Sequence, residues 1–545
     1  MRAKSEKRFV FVVGGVLSGL GKGIVTASVG NLLKACGYKV TAIKIDPYVN
    51  VDAGTMRPTE HGEIFVTEDG GEIDQDLGTY ERFLHMNLSK DNNITTGKVF
   101  LRVIERERAL EYEGKTVQII PHVSDEVKRM ILEVSKNCDI TLVEVGGTTG
   151  DIENLIYLHA IRELSLCYPS VTVMVSYLPF LKNVGELKTK PTQHAVARLR
   201  EAGLFPDFIV VRSEAGMDEV RREKLARMCF IDSANIIDDP DIKNIYRVPL
   251  LFERQKFHEK ILQKLGLKQK KLKNEKWKEF VKRLENPKEE VNIAIVGKYV
   301  TYGNAEHMDV YISILEALKH ASAKLQVRAS VTQVDSEMLE KTAPEKILGG
   351  FHGIIVPGGF GKRGIEGKIR AIEFARKNNI PFLGLCLGMQ LAVVEFARNV
   401  CKLKGANSTE FEKSPEHAVI DVLPEQREIL AKRKYGASMR LGAWKAVLER
   451  GTRVWEIYGR KSEVWERHRH RYEVNPEYVE ILENRGLVFS GKSEDGRLME
   501  FLELPGHEFF VATQAHPEFK SRPLQPHPLF VEFLRSARKV KRRKG

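Results

Sequence analysis

Residues Phe9–Ile24 read FVFVVGGVLSGLGKGI, five apolar residues running straight into a glycine-rich loop, and this stretch decides the fold. An apolar run of that length bounded by glycines predicts a buried strand. Glycines at 14, 15, 19, 21 and 23 surround Lys22, so backbone amides at the start of a following helix can cradle phosphate oxygens. Apolar residues at helical spacing over Ile24–Ala35 supply that helix. The spacing departs from GxxxxGK[ST]. Gly23 stands where a hydroxyl would meet magnesium, so a metal must be held by other groups.

The same alternation continues outward. Strands are expected at Val40–Ile45, Ile140–Val145, Val171–Ser176 and Phe208–Val211, with helices at Val123–Ser135, Ile152–Leu166, Gln193–Ala202 and Asp218–Cys229. This is the pattern of a parallel sheet covered by helices, which binds ligands at the carboxyl ends of its strands. From Leu265 to Glu290 the composition shifts to Lys and Glu, and α/β alternation resumes at Val291–Gly297. The expected fold class is therefore α/β with two doubly wound domains, the first built on a parallel sheet with a P-loop-like turn. The boundaries are a first domain at 1–267, a linker at 268–290, a second domain at 291–540 and a basic tail at 541–545. No internal repeat is seen.

At 545 residues the chain is too long for one core. No stretch is a membrane span, and the apolar run after the charged N-terminus is a first strand, not a targeting segment. Cys36, Cys138, Cys167, Cys229, Cys386 and Cys401 are scattered singly, which suits a reducing cytoplasm and argues against structural zinc. The formal charge of +13 is concentrated in Lys264–Lys288 and Arg535–Lys544. Runs of this kind read as solvated faces, and no aromatic-interleaved basic stripe points to a nucleic-acid partner.

Three groups of residues carry chemistry. Asp74 and Asp76 of DQDLG, and Glu144 at the end of its strand, offer the carboxylates that Mg²⁺ takes alongside phosphate oxygens. Lys44, and the cluster Lys188-Thr189-Lys190-Pro191-Thr192-Gln193, would hold phosphates, and two such sites suggest that the acceptor is itself a nucleotide. In the second half, Gly384-Leu385-Cys386-Leu387-Gly388 sets a thiol on a tight strand-to-helix turn. His516 would move its proton and Glu518 would orient the imidazole, with an oxyanion against the Gly359 and Leu387 amides. The pair of centres reads as an ATP-dependent amidating ligase that draws ammonia from glutamine.

The segments GGVLSGLGKG, KIDPYVNVDAGTM, HGEIFVTEDGGEIDQDLGTYERF, VEVGGTTGDIE, GELKTKPTQH, VPGGFGKRG, GLCLGMQ, NSTEF, MRLG and RHRHRYEVN together resemble the CTP synthase family from about Lys7 to Lys539. That resemblance implies an amidoligase domain and a class I glutamine amidotransferase domain. ATP would phosphorylate O4 of UTP, and ammonia from glutamine, passed between the centres, would displace the phosphate to give CTP. It implies nucleotide binding by Ser18, Gly19, Leu20, Gly21, Lys22, Gly23 and Ile24, and Mg²⁺ on Asp76 and Glu144. The pyrimidine triphosphate, or CTP as inhibitor, would lie on Asp151, Ile152, Glu153, Lys188–Gln193 and Lys224, with Pro240, Asp241 and Ile242 near the adenine. Glutamine would be gripped by Gly359, Leu387, Gly388, Met389, Gln390, Glu410 and Arg471, with His61 as a gate for ammonia. GTP as activator, a homotetramer and no membrane association complete what the resemblance implies. Gly19, Ala53, Gln75 and Pro240 depart from the usual family residues. Two other readings compete: an amidase acting on a carboxylate, and a filament-forming or nucleic-acid-associated scaffold using the basic runs.

Overall fold

The computed structural model describes residues 7–15, 17–57, 62–183, 185–214, 216–298, 301–302, 305–306, 308–422 and 439–544. The chain forms two compact units. One comprises residues up to Ala53 together with Gln75–Lys278, and the other comprises Gly54–Asp74 with Glu279 onward.

The first unit is built on seven strands in the order Ile236–Pro240, Phe208–Ser213, Ser170–Tyr177, Arg8–Gly14, Ile140–Val145, Val40–Asp46 and Asn93–Thr95, all parallel. Val40–Asp46 and Ile140–Val145 are buried along their whole length. Helices cover both faces, so residues of either parity meet apolar neighbours. Phe9, Phe11, Val13, Ile43, Ile45, Val143 and Val145 fill one face. Arg8–Gly14 lies at the centre, Ile140–Val145 is inserted between it and the earlier Val40–Asp46, and the chain then crosses to the other side at Ser170–Tyr177, which leaves a topological switch beside Arg8–Gly14.

The second unit carries nine strands: Val327–Asp335, Glu289–Gly297, Gly353–Val356, Phe382–Leu385, Phe510–Thr513, Met499–Glu503, Val488–Lys492, Arg440–Leu448 and Glu463–His470. The first five run parallel. The last four extend the sheet antiparallel, a feature that the alternation along the sequence does not signal. Helices Ile312–Leu325, Ile365–Lys377 and Leu387–Asn399 supply much of the apolar packing on its faces.

Two stretches differ from their plainest reading. The Lys-rich run is not bare chain: helix Glu275–Glu285 lies in it, and the division between the units falls inside that helix. Its Trp277 donates to the Tyr246 carbonyl at 2.9 Å and packs at a tilt against Phe83, ring centroids 5.3 Å apart. The C-terminal basic segment is the end of helix Pro528–Lys544, with Arg538 and Arg542 paired to Glu289 and Arg543 to Glu508. Among the described residues no helix is long and apolar enough to cross a membrane.

The early segment Gly54–Asp74 belongs to the second unit through backbone, aromatic and charged contacts: Ala443 N–H donates to the Glu68 carbonyl at 2.9 Å and the buried Phe65 meets Phe519 edge-on. Its hairpin, Ile64–Val66 with Glu72–Asp74, receives Arg467 and Arg469. The fully buried Arg467 binds Glu68 Oε1 at 3.1 Å and the Val66 carbonyl at 2.9 Å, and Arg469 binds Glu72 at 2.8 Å. Removing Arg467 takes a donor from the buried Val66 carbonyl and leaves the half-buried Glu68 with Lys520 at 3.8 Å, a loss of about 1–3 kcal/mol. Arg467→Met should therefore raise amide hydrogen exchange across residues 64–74 while leaving the first unit's central strands protected. Unchanged exchange in the hairpin would show that Arg467 does not hold it.

Candidate active site

In the first unit the loop after Arg8–Gly14 turns through Gly19 and Gly21, both at positive φ, before helix Lys22–Ala35 begins. Only glycine takes these angles without strain. Lys22 is buried and curls back over the loop to donate to the Gly147 carbonyl at 2.7 Å. Burial holds its pKa below the usual lysine value, against the opposing pull of Glu144. Ser18 is exposed, Leu20 is buried and Ile24 is half-buried in the first helical turn.

The reason for Gly23 is visible in the structure. A Cβ on residue 23 would stand 2.5 Å from Asp76 Oδ1. The place that a phosphate-loop Ser or Thr side chain would fill is taken by the Asp76 carboxylate, held in the first turn of helix Gln75–Leu84. Asp76 lies beside the Lys44 ammonium, which is also 2.9 Å from Glu144 Oε1 and 3.9 Å from Asp46 Oδ1. Lys44 and Glu144 are register partners on adjacent strands, so they share a face. Burial alone would lower the Lys44 pKa, but Asp76, Glu144 and Asp46 outweigh it and raise it well above the usual value. Tyr80 donates to Glu144, and Asn93 donates to Asp46 at 2.7 Å.

The sheet joins this loop to the second predicted phosphate cluster. Gly15 N–H donates to the Val175 carbonyl at 2.8 Å, and a Cβ on Gly15 would lie 3.0 Å from Ser176 Oγ. Ser176 in turn donates to Thr192 Oγ1 at 2.9 Å. Thr189 immediately precedes helix Lys190–Glu201, which has Pro191 in its first turn; Gln193 Nε2 donates to Thr189 Oγ1 at 3.0 Å, Lys188 pairs with Glu186, and Lys190 is exposed. Asp151 receives the amide and hydroxyl of Thr148 at 2.6 and 2.9 Å, while Ile152 and Glu153 stand exposed beside it. Lys224 is exposed on helix Glu219–Cys229, and no hydrogen bond or ion pair among the described residues joins it to the 188–193 cluster.

Pro240 ends its strand, Asp241 N–H donates to the Ser213 carbonyl at 2.8 Å, and Ile242 follows. Sequence reasoning missed Arg212. It donates to Asp239 at 3.1 Å and Asp241 at 2.6 Å, and its Nε is 3.9 Å from where a Cβ on Gly21 would lie. Its only sequence signal is its place at the carboxyl end of a strand.

In the second unit Cys386 ends Phe382–Leu385 and starts helix Leu387–Asn399 with φ 53° and ψ −104°, a costly conformation for a non-glycine residue. Both flanking glycines are required sterically. A Cβ on Gly388 would stand 2.0 Å from the Val356 carbonyl, and one on Gly384 would stand 2.8 Å from Ala512 Cβ. His516 lines the same cavity as Cys386 and is coupled to it electrostatically, and its Nδ1 is 2.6 Å from Glu518 Oε1; the Cys386 thiol itself lies 3.8 Å from the Arg469 carbonyl. Burial would depress the His516 pKa, but Glu518 and Cys386 push it up to about 10. Cys386, His516, Glu518, Gly358, Gly359 and Arg469 line one cavity of about 80 Å³, to which the hairpin contributes Glu63 and Ile64.

Glu410 accepts from Gly361 N–H at 2.9 Å, and burial raises its pKa against the pull of Lys298 and Arg471. The side chains of Leu387 and Met389 are buried in the apolar core, so they can meet a ligand only through their backbone. Gln390 is likewise turned inward. His61 lies outside the described residues. Lys298 and Lys368 were also missed. Both are fully buried, Lys298 donating to the Gly361 carbonyl and Lys368 to that of Pro357 at 3.0 Å, which fixes both ends of the Pro357–Gly361 loop.

A family profile described as CTP synthase N-terminus matches residues 8–267, and one described as glutamine amidotransferase class-I matches 306–536. The CTP synthase of Methanocaldococcus jannaschii is 54% identical over 97% of this chain and 98% of its own. Those of Caldanaerobacter subterraneus and Pyrococcus abyssi are 50% and 51% identical, each over 98% of this chain and 99% of theirs. Two profiles in series and likeness across nearly the whole chain establish that it belongs to the CTP synthase family.

Proposed function

We propose that this chain aminates UTP to CTP, using ATP to activate the acceptor and glutamine as the nitrogen source. The observation that carries the reading is that one chain holds both a Cys386–His516–Glu518 relay and a Gly-Lys loop faced by converging carboxylates. At the first centre the loop amides of residues 18–24 and Lys22 bind the ATP phosphates, and Asp76 and Glu144 hold Mg²⁺. The carboxylates fit that ion: they already meet around one buried cation, the Lys44 ammonium. Among the described residues no larger acidic or thiol cage is present. Mg²⁺ takes one or two carboxylates and completes its shell with phosphate oxygens and water. When bound it neutralises charge on the transferring phosphoryl group.

The chain's own groups orient the rest. Lys188–Gln193 and Asp151–Glu153 bind the UTP phosphates and base, joined to the ATP loop through Ser176. Arg212, Pro240, Asp241 and Ile242 flank the adenine. UTP O4 attacks the γ-phosphorus of ATP and ADP leaves. Ammonia then attacks C4 and phosphate leaves. At the second centre Cys386 Sγ attacks the amide carbon of glutamine while Gly359 and Leu387 amides receive the oxyanion. His516 protonates the departing ammonia, and water releases glutamate from the thioester. Glu410 and Arg471 hold the amino-acid end. The family reading also assigns CTP as inhibitor, GTP as activator, a homotetramer and a cytoplasmic setting, the last supported by six free cysteines. Ion pairing of the basic runs with Asp207, Glu289 and Glu508 supports a role for them in packing instead of nucleic-acid binding.

Three outcomes test this. Cys386→Ala should lose glutamine-supported CTP formation by at least about 10³-fold and keep ammonium-supported formation. Loss with both donors would sink the two-centre reading. Asp76→Asn and Gly23→Ser should each lower turnover by about 10²-fold or more with either donor, since one removes the carboxylate and the other forces it aside. Normal ammonium-supported rates in Asp76→Asn would remove it from the metal site.

Glu518→Gln tests the relay through pH. Glu518 raises the His516 pKa, so its removal lets the imidazolium lose its proton at lower pH. The alkaline limb of the glutamine-supported rate should move to lower pH, with kcat reduced about 10²-fold. A limb that stays in place would show that Glu518 does not act on His516.

A further inference from the structure

Cys386 faces a second side chain besides His516. Gln514, fully buried one residue after strand Phe510–Thr513, directs Nε2 at Cys386 Sγ across 3.7 Å. The direction of that amide is dictated by its neighbours. The Tyr472 carbonyl can only accept, so Gln390, 2.8 Å away, must present its NH2 group there. The same NH2 lies 3.3 Å from Gln514, whose facing atom must therefore be the accepting oxygen. The NH2 end of Gln514 is left pointing at the sulfur. Its main chain is fixed too, through a 2.9 Å bond to the Glu500 carbonyl.

Behind this relay the RHRHR run divides by strand alternation. Arg467 and Arg469 reach the hairpin, whereas His468 and His470 turn to the other face. His470 Nδ1 lies 3.2 Å from the same Tyr472 carbonyl, so it carries the proton. Its bare Nε2 then accepts from His468 Nδ1 at 3.0 Å, which leaves His468 Nε2 without a proton 3.4 Å from Glu500 Oε2, a carboxyl whose proton affinity burial raises and whose Oε1 pairs with Arg440 at 2.6 Å. Burial keeps both rings neutral by lowering their pKa values well below the ordinary histidine value. The Tyr472 carbonyl is thus anchored from one side by the histidine chain and read from the other by Gln390.

We propose that Gln514 is a catalytic residue of the glutamine-hydrolysing centre, its amide N–H donating to the Cys386 thiolate, and that Gln390 is the positioning residue that fixes this direction. The proposal rests on the reading of Cys386 as nucleophile. A donor aimed at the sulfur stabilises the thiolate relative to the thiol. It also assigns Gln390 a task on its inner side, away from the amino acid that the resemblance has it grip. Among the described residues His516, from the loop after its strand, and Lys368, from helix Ile365–Lys377, also act on Cys386, while strand Glu463–His470 brings Arg469 to the same cavity with its carbonyl 3.8 Å from the sulfur.

The test is the pH dependence of iodoacetamide alkylation of Cys386, followed on its own peptide by mass spectrometry, in the full-length protein. Gln514→Met removes the donor at similar volume and should raise the midpoint by about one pH unit. It should also lower kcat for glutamine about tenfold, with KM little changed. Gln390→Met frees the Gln514 amide to turn and should move the midpoint the same way by less; it serves alone if Gln514→Met does not fold. An unmoved midpoint in the folded variants overturns the proposal. Cys386→Ala, assayed in parallel, separates the two failures: retained glutamine-supported turnover there would remove the nucleophile itself, whereas its loss with unmoved midpoints would remove only Gln514.

Discussion

A strand buried on both faces can carry a charge only if the charge is paired, and this constraint shapes both centres. Lys44, Asp46 and Glu144 lie on strands buried throughout, at or near the ends where loops and helices can bring them partners. An isolated charge there would lose far more in hydration than packing returns. The ammonium is therefore surrounded by carboxylates, and those carboxylates by Tyr80 and Asn93. Pairing that makes the charges tolerable also gathers them where phosphates and a cation would meet.

The second unit meets the same constraint with backbone instead of charge. Cys386 is held at positive φ between Gly384 and Gly388, where strand and helix approach too closely for a Cβ. The helix start leaves its first amides without intrahelical acceptors, so the turn presents donors as well as sulfur. Buried Lys298 and Lys368 take up carbonyls of the facing loop, which would otherwise be left without partners. Strand Glu463–His470 then serves two faces: Arg467 and Arg469 bind a hairpin from the early sequence, and His468 and His470 close a buried network with Arg440 and Glu500.

Gly23 shows how a departure from a motif gains meaning only in three dimensions. In the sequence it is a missing hydroxyl. In the structure it is the gap that Asp76, fifty-three positions later, occupies. The charge balance gains meaning in a similar way. Basic runs that read as solvated faces contain ion pairs with Asp207, Glu289 and Glu508 and a buried Trp277, which compositional reasoning has no means of anticipating.

Taken alone, the sequence determined the features set by local period and turn chemistry. Strand, Gly-Lys loop and helix; the thiol on its tight turn; and Glu518 two residues after His516 are all properties of neighbouring residues. Apolar runs and glycine positions encode them directly. Tertiary structure alone decided which distant groups meet. It placed residues 54–74 in the second unit, added four antiparallel strands, brought Arg212 beside Gly21, set Lys298 and Lys368 behind the Pro357–Gly361 loop, and turned Gln390 inward onto Gln514. The physical reason is that these contacts are made by single side chains at large sequence separation. Their pairing is enforced by burial and hydrogen-bond satisfaction, and neither leaves a periodic trace along the chain.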